Sequence, residues 1–184
     1  MIDTLRLILF TACNMHCPYC CNEIESVSKQ FKKMKLADID FSKYKNICLT
    51  GGEPFLDHKL LYGLLWAWIP TDKNVYIYTN GTKMLTEDMS AIKFLNRYKD
   101  IVKGINIGVH TSDQLRVVPL VESVVTGLVR FKINEKLFPQ IMKPRKYGWR
   151  LNPERQKQLE FKVELFRVKD DCPMPNEDWV LLKN

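Results

Sequence analysis

The chain has 184 residues, 46% hydrophobic and 27% charged, with 28 Lys+Arg against 21 Asp+Glu for a formal charge of +7. Those proportions exclude a disordered or fibrous chain and allow one compact domain with a buried core, at most with a small appendage. No apolar run approaches the roughly 18–20 residues of a membrane span. The basic surplus favours anionic partners or substrates without marking a nucleic-acid binder.

Leu5–Phe10 reads as the first strand. Its end, running into Thr11, Ala12 and Cys13, faintly resembles a lipoprotein cleavage box. The apolar segment is well short of the roughly 7–15 residues of a signal peptide, so the expected location is cytoplasmic. Asn46–Thr50, bounded by Gly51-Gly52, is the second strand. Leu56–Ile69 is apolar all round and predicts a well-buried helix, with Trp66 and Trp68 in the core or at an interface. Val75–Thr79 stops at Asn80-Gly81, a turn pair. Thr86 reads as an N-cap, with Glu87 and Asp88 in the first turn and Met89, Ile92 and Leu95 at helical spacing. Gly104–His110 is a fourth strand, followed by a helix with Pro119 in its first turn and Gly127 past its end. Leu128–Asn134 and Glu160–Val168 complete a set of six. Strands alternating with helices imply parallel pairing with crossover helices, hence an α/β sheet or incomplete barrel. The basic stretch 130–162, densest at Lys143–Arg150, reads as a solvated face or as a groove for an anion.

Cysteine placement carries the chemistry. Cys13, Cys17, Cys20 and Cys21 fall within nine residues, while Cys48 and Cys172 stand alone in the sequence. A chain this large and apolar has no need of a disulfide framework. Cys13, Cys17 and Cys20 lie on one loop after a strand, where thiolates suit zinc or an iron–sulfur centre. Zinc asks for a fourth protein ligand, for which His16 and Cys21 are at hand. A four-iron cluster on three cysteines instead leaves one iron open to a non-protein ligand. Spacing alone leaves both open. Cys21 reads as a thiol packed under the loop, Cys48 as core, and Cys172 has no companions from which to build a second cluster.

The loop, with Tyr19 just before its last cysteine, resembles the signature of the radical S-adenosylmethionine (SAM) superfamily. Leu49-Thr50-Gly51-Gly52-Glu53-Pro54 is similar to that superfamily's GGEP motif, and Thr79-Asn80-Gly81-Thr82 to its TNG element. The resemblance covers about residues 5–168 and implies a partial (β/α)6 barrel of mainly parallel strands. Residues 169–184 then form a short C-terminal extension and candidate lid, with no separate domain.

By that resemblance, Cys13, Cys17 and Cys20 hold a [4Fe–4S] cluster whose open iron takes the amino and carboxylate groups of SAM. Tyr19 lies near the adenine, and Gly51, Gly52 and Glu53 hold the methionine amino group. Glycines allow the close backbone approach, and an ammonium needs acceptors. Thr79 and Asn80 join the SAM site on the same grounds. Active sites of β/α barrels gather at strand ends. His110 and Ser112 at the close of the fourth strand, with Lys132 and Asn134 on the fifth, are therefore candidates for the SAM carboxylate, ribose or substrate. His58 reads as surface.

The implied activity is reductive cleavage of SAM to a 5′-deoxyadenosyl radical that abstracts hydrogen from substrate, fed by a low-potential donor such as flavodoxin or ferredoxin. A small-molecule or nucleotide-like substrate is expected first, as in the carbon-skeleton rearrangement of deazapurine biosynthesis. Activation of a glycyl-radical enzyme, or modification of a peptide or nucleic acid, are the macromolecular alternatives that an open barrel suits. A plain iron–sulfur or zinc module is the remaining one, and intact GGEP and TNG elements argue against it.

Overall fold

The computed structural model describes residues 2–17, 20–120, 128–137, 159–163 (backbone alone) and 176–183. In chain order the elements begin with β1 (Thr4–Ile8), α1 (Glu25–Ser28), β2 (Lys32–Met34), β3 (Asn46–Thr50), α2 (His58–Gly63) and β4 (Asn74–Thr79). They continue with α3 (Ser90–Arg97), β5 (Val102–Val109), α4 (Val117–Leu120), β6 (Leu128–Ile133), β7 (Leu159–Val163) and β8 (Glu177–Leu182). The chain divides into two compact units, Met1–Tyr78 with Arg167–Asn184, and Thr79–Phe166.

In the first unit the strands lie in the order β2-β8-β1-β3-β4, all parallel. Leu5 pairs with Ile47 and Leu7 with Leu49, which in turn meet Val75 and Ile77. All six are wholly buried, each contributing about 1.5–3 kcal/mol relative to exposure. The second unit runs β5-β6-β7, again parallel. There Ile105, Ile107 and Val109 face Val129, Phe131 and Ile133 across the ladder. Parallel neighbours cannot be joined by tight hairpins, so each needs a crossover. The fold class is α/β, of the parallel partial-barrel type, as the motifs implied.

Two helices depart from the sequence reading. A 3-10 turn at Pro54–Leu56 precedes α2, whose start is capped by Asp57 Oδ1 accepting the Leu60 N–H at 2.9 Å. The helix then widens into a π turn over Leu64–Trp68. Leu61, Leu64, Leu65 and Ile69 fill the core, whereas Trp66 is 75% and Trp68 43% exposed. Burial is therefore one-sided and not all round as the composition predicts. Positions three and four apart supply one apolar face, and Trp66 falls on the other, stacked on Tyr62 at 6.1 Å. The helix α3 starts not at Thr86 but at Ser90, because Asp88 Oδ1 accepts both the Ser90 N–H (3.0 Å) and the Thr86 hydroxyl (2.8 Å). The two groups fold the expected first turn into a separate lead-in.

Residues 177–182 of the C-terminal extension form β8, inserted between β1 and β2. Arg6, opposite Trp179 in the register, grips Glu177 with two bonds, Nε–Oε2 at 2.8 Å and Nη2–Oε1 at 2.9 Å. Its guanidinium lies 4.5 Å from the Tyr78 ring centroid and 4.9 Å from that of Trp179, whose indole N–H donates to Glu177 at 2.8 Å. Burial opposes this charge, but the Glu177 bonds together with the neighbouring Tyr78, Cys48 and Glu177 charges push the Arg6 pKa above its ordinary value. Trp179 in turn packs with Ile8, Val27 and Phe31.

Alongside, Asp178 takes an ion pair from Lys32 and a hydrogen bond from the Tyr44 hydroxyl at 2.8 Å. The Lys32 bond holds the Asp178 carboxyl below its usual range against the effect of burial. Burial and the bond to Asp178 push the Tyr44 hydroxyl up to about 12. A depressed carboxylate contributes stability at pH 7 that is lost as pH falls below about 4. A raised phenol loses its contribution as pH rises from about 10, where the unfolded tyrosine ionises. Urea titrations are accordingly expected to show Asp178→Asn less stable than wild type at pH 7, with the gap shrinking towards pH 2. For Tyr44→Phe the gap shrinks between pH 10 and 12.

Candidate functional site

The cysteine loop begins where β1 stops, and its path is set by the turn after β3. Leu9 N–H donates to Thr50 O at 2.9 Å, Gly52 N–H to Phe10 O at 2.7 Å, and Glu53 N–H to Ala12 O at 3.1 Å. Two segments some forty residues apart thus run together up to the residue before Cys13. Glycine is forced here. Gly51 has φ +133°, and a Cβ on it would sit 2.5 Å from Phe10 O. A Cβ on Gly52 would sit 1.5 Å from Ala12 O. Glu53 is fully buried, and its Oε1 accepts the Phe55 N–H at 3.1 Å, shaping the turn that follows.

Further along, Cys20 N–H donates to Cys17 O at 3.0 Å, closing a turn between those two cysteines. Cys20 O then accepts from Glu23 and Ile24 and leads the chain into α1. Cys13, Cys17 and Cys20 are each partly exposed. Cys21 packs against Ile8, Val27, Phe31 and Trp179, beneath the loop as expected, and Cys48 is buried in β3. Tyr19, like Cys172 and the dense basic segment at 143–150, lies outside the described residues.

Burial and then the neighbouring Cys20, Cys13 and Glu23 push the Cys17 thiol up to about 11. Three thiolates therefore resist being charged together, and a cationic iron core would supply the charge that lets all three ionise. Among the described residues no three His, Cys, Asp or Glu side chains converge on a single-ion site. His16 is turned to solvent and meets Glu23 at 3.3 Å. The donor set fits a multi-iron centre, in which each thiolate takes its own metal, better than a lone zinc that must draw four ligands to about 2.0–2.3 Å.

In the second unit the TNG side chains build their own turn. Thr79 Oγ1 accepts the Gly81 N–H at 3.0 Å, and Asn80 Oδ1 accepts from the Thr82 N–H (2.9 Å) and hydroxyl (2.6 Å). Gly81 has φ +75° and leaves room for Ile107 and Val117. Past β5, the His110 ring folds back over Gly108, its Nε2 2.9 Å from where a Cβ on that glycine would be. Burial lowers the His110 pKa and keeps the ring neutral. Ser112 is exposed, and Asn134 Oδ1 accepts the Lys136 N–H at 3.0 Å. On the ladder, Lys132 stands beside Gly108 and Arg130 beside Asn106. Asn106 is 5% exposed, with no hydrogen-bond partner for its Oδ1 among the described residues. Sequence reasoning passed over both Asn106 and the buried Gln114, which binds Asn80, Gly108, His110 and Thr111. An amide has no motif of its own, and only the partners reveal it.

Residues 7–143 match the family model of the Radical SAM superfamily. The chain is 34% identical over 84 residues to a 7-carboxy-7-deazaguanine synthase of Aquifex aeolicus (strain VF5), covering 44% of this chain and 37% of that protein. It is 28% identical over 113 residues to the enzyme of the same name from Bacteroides thetaiotaomicron, covering 60% and 57%. With a GTP 3′,8-cyclase of Synechococcus sp. (strain CC9605) it shares 36% identity over 66 residues, 33% of this chain and 18% of the cyclase. The matched stretches thus span less than two thirds of any of these relatives.

Proposed function

Because this chain belongs to the radical SAM superfamily, whose members use a [4Fe–4S] cluster and SAM, we propose that it cleaves SAM to abstract hydrogen from a small, anionic, nucleotide-like substrate. The observation that carries the reading is the three-cysteine loop docked, backbone to backbone, on Gly51-Gly52-Glu53. Cys13, Cys17 and Cys20 would hold the cluster, which when bound supplies the electron that splits SAM into methionine and a 5′-deoxyadenosyl radical. The turn at Gly51–Glu53 holds the loop in place and offers backbone acceptors for the methionine ammonium. Tyr19 would lie along the adenine. At the strand ends, Asn80, His110, Ser112, Lys132 and Asn134 would face SAM or substrate, with Thr79 shaping the turn beneath Asn80. The neutral His110 ring can accept or donate one hydrogen bond without a charge of its own.

The substrate class draws support from two directions. Two of the relatives are named for a carboxylated deazaguanine and one for GTP. In this chain Asn106 Oδ1, which has no hydrogen-bond partner among the described residues, sits opposite Arg130 in the ladder, with Lys132 two positions further along the same strand, a combination that suits a hydrogen-bond donor carried next to an anionic group. A low-potential donor of the flavodoxin or ferredoxin kind would supply electrons.

The test is to incubate the iron-loaded protein anaerobically with SAM, reductant and a panel of purine nucleotides, carboxylated purine-type heterocycles and glycine-containing peptides. A substrate of the proposed class raises 5′-deoxyadenosine above the substrate-free background and, when deuterated at its reacting carbon, passes deuterium into that product. Stimulation by peptides alone would overturn the substrate class.

A further inference from the structure

We infer that Gln114 is a positioning residue that locks two strand-end loops of the second unit into one register and thereby presents His110 to the bound cofactor. The inference rests on the function proposed above.

Gln114 is 2% exposed, so it reaches no ligand itself. Its Oε1 accepts the His110 N–H at 2.7 Å and the Thr111 N–H at 3.0 Å. Its Nε2 donates to Asn80 O at 2.6 Å and to Gly108 O at 3.1 Å. A primary amide has two N–H donors and two acceptor lone pairs, and all four are used. Asn80 belongs to the loop leaving β4, Gly108 is the last residue but one of β5, and His110 and Thr111 belong to the loop leaving β5. One side chain therefore ties Asn80, just past β4, to Gly108, His110 and Thr111 at the end of β5.

The amide is itself held rigidly. It sits on the 3-10 turn Asp113–Arg116, closed by the Leu115 N–H on Ser112 O at 3.1 Å and continued by α4. Leu115, Val117 and Val118 on that segment are wholly buried. Val117 also presses on Gly81, where a Cβ would stand 3.1 Å from its methyl groups.

The consequence concerns what the loop offers. With the His110 and Thr111 amides turned inward to Gln114, that strand end presents to a ligand the His110 ring, folded over Gly108, and the exposed Ser112 hydroxyl. No other side chain reproduces the fourfold pattern. Leucine would strand two amides and two carbonyls. Glutamate keeps the acceptors but, when ionised, points negative oxygens at Asn80 O and Gly108 O. Protonated, it regains one donor.

Two variants test this, each with readouts apart from turnover. In cofactor-free protein, hydrogen exchange at the His110 and Thr111 amides is expected to be protected in wild type and about 100-fold faster in Gln114→Leu. In iron-loaded protein, SAM binding by Gln114→Leu is expected to weaken about tenfold or more, with iron content and far-UV spectrum as in wild type. Gln114→Glu is expected to bind SAM poorly at pH 8 and to recover towards wild-type affinity by pH 6, with its far-UV spectrum unchanged between the two, which separates the effect from loss of folded protein. A SAM affinity in Gln114→Leu within twofold of wild type would overturn the inference. Should that variant fail to fold, a pH-independent affinity in Gln114→Glu does so instead. Wild-type protein that is protected at His110 and Thr111 yet binds no SAM would sink the proposed function and leave the anchor standing, so the two failures are told apart.

Discussion

Gly52→Ala is expected to leave the protein without its iron. The new methyl would lie 1.5 Å from Ala12 O, a backbone atom one residue before Cys13, so no rotamer change relieves it. Either the Gly52–Phe10 and Glu53–Ala12 bonds break or the cysteine loop is pushed off its path. Overpacking of this kind costs about 3 kcal/mol, and the loss falls on the geometry that three thiolates must share. The expected result is a folded protein with a lowered urea midpoint, whose iron and sulfide content after anaerobic loading falls to the level of Cys17→Ala. Gly51→Ala should follow it, because φ +133° is strained for any L side chain and its methyl meets Phe10 O at 2.5 Å. Gly63→Ala is the control. Its Cβ meets nothing within 4 Å, and a mid-helix glycine replaced by alanine is expected to gain about 0.5–1 kcal/mol with normal iron content.

Breaking the Arg6–Glu177 pair is the second large effect. Both side chains are 13% exposed, and removing one partner of a buried pair strands the other, typically at about 3–5 kcal/mol. Arg6→Met is expected to lose that much in urea unfolding, and to loosen β8, which has β1 on one side and β2 on the other. Glu177→Gln keeps one acceptor for Arg6 and the indole bond, so a smaller loss of about 1–2 kcal/mol is expected. The double variant Arg6→Met, Glu177→Leu should be far less damaged than the sum of its parts, since a buried ion pair replaced as a whole by apolar groups is often nearly neutral. Strict additivity would mean that the pair does not act as a unit.

The strands of the core were legible because their pattern is local. Val75–Thr79 alternates β-branched and aromatic residues and ends in Asn80-Gly81, and the structure places β4 at Asn74–Thr79. Lys32–Met34 and Glu177–Leu182 were not legible as strands. The first is three residues with two lysines, and the second opens with two acids whose burial makes sense only beside Arg6, Lys32 and Tyr44. The exposed Trp66 misled for the opposite reason, since composition cannot say which side of an apolar helix has no neighbour.

The candidate site divides the same way. Residue types and spacing announced the cysteine loop, the diglycine and the TNG turn. What the glycines do was hidden, because the atoms that forbid a side chain at 51 and 52 belong to residues 10 and 12. Gln114 was invisible for a like reason: one of its partners, Asn80, lies 34 positions away in sequence.

SAM cleavage at the three-cysteine loop is the chemistry on which the other proposed roles depend. The decisive measurement is anaerobic loading with iron and sulfide, reduction by dithionite in the presence of SAM, and quantification of 5′-deoxyadenosine by mass spectrometry, with Cys17→Ala in parallel. Formation of 5′-deoxyadenosine by the wild type and none by the variant is the predicted result. A wild-type protein that takes up zinc, or holds a cluster that leaves SAM intact, would contradict it.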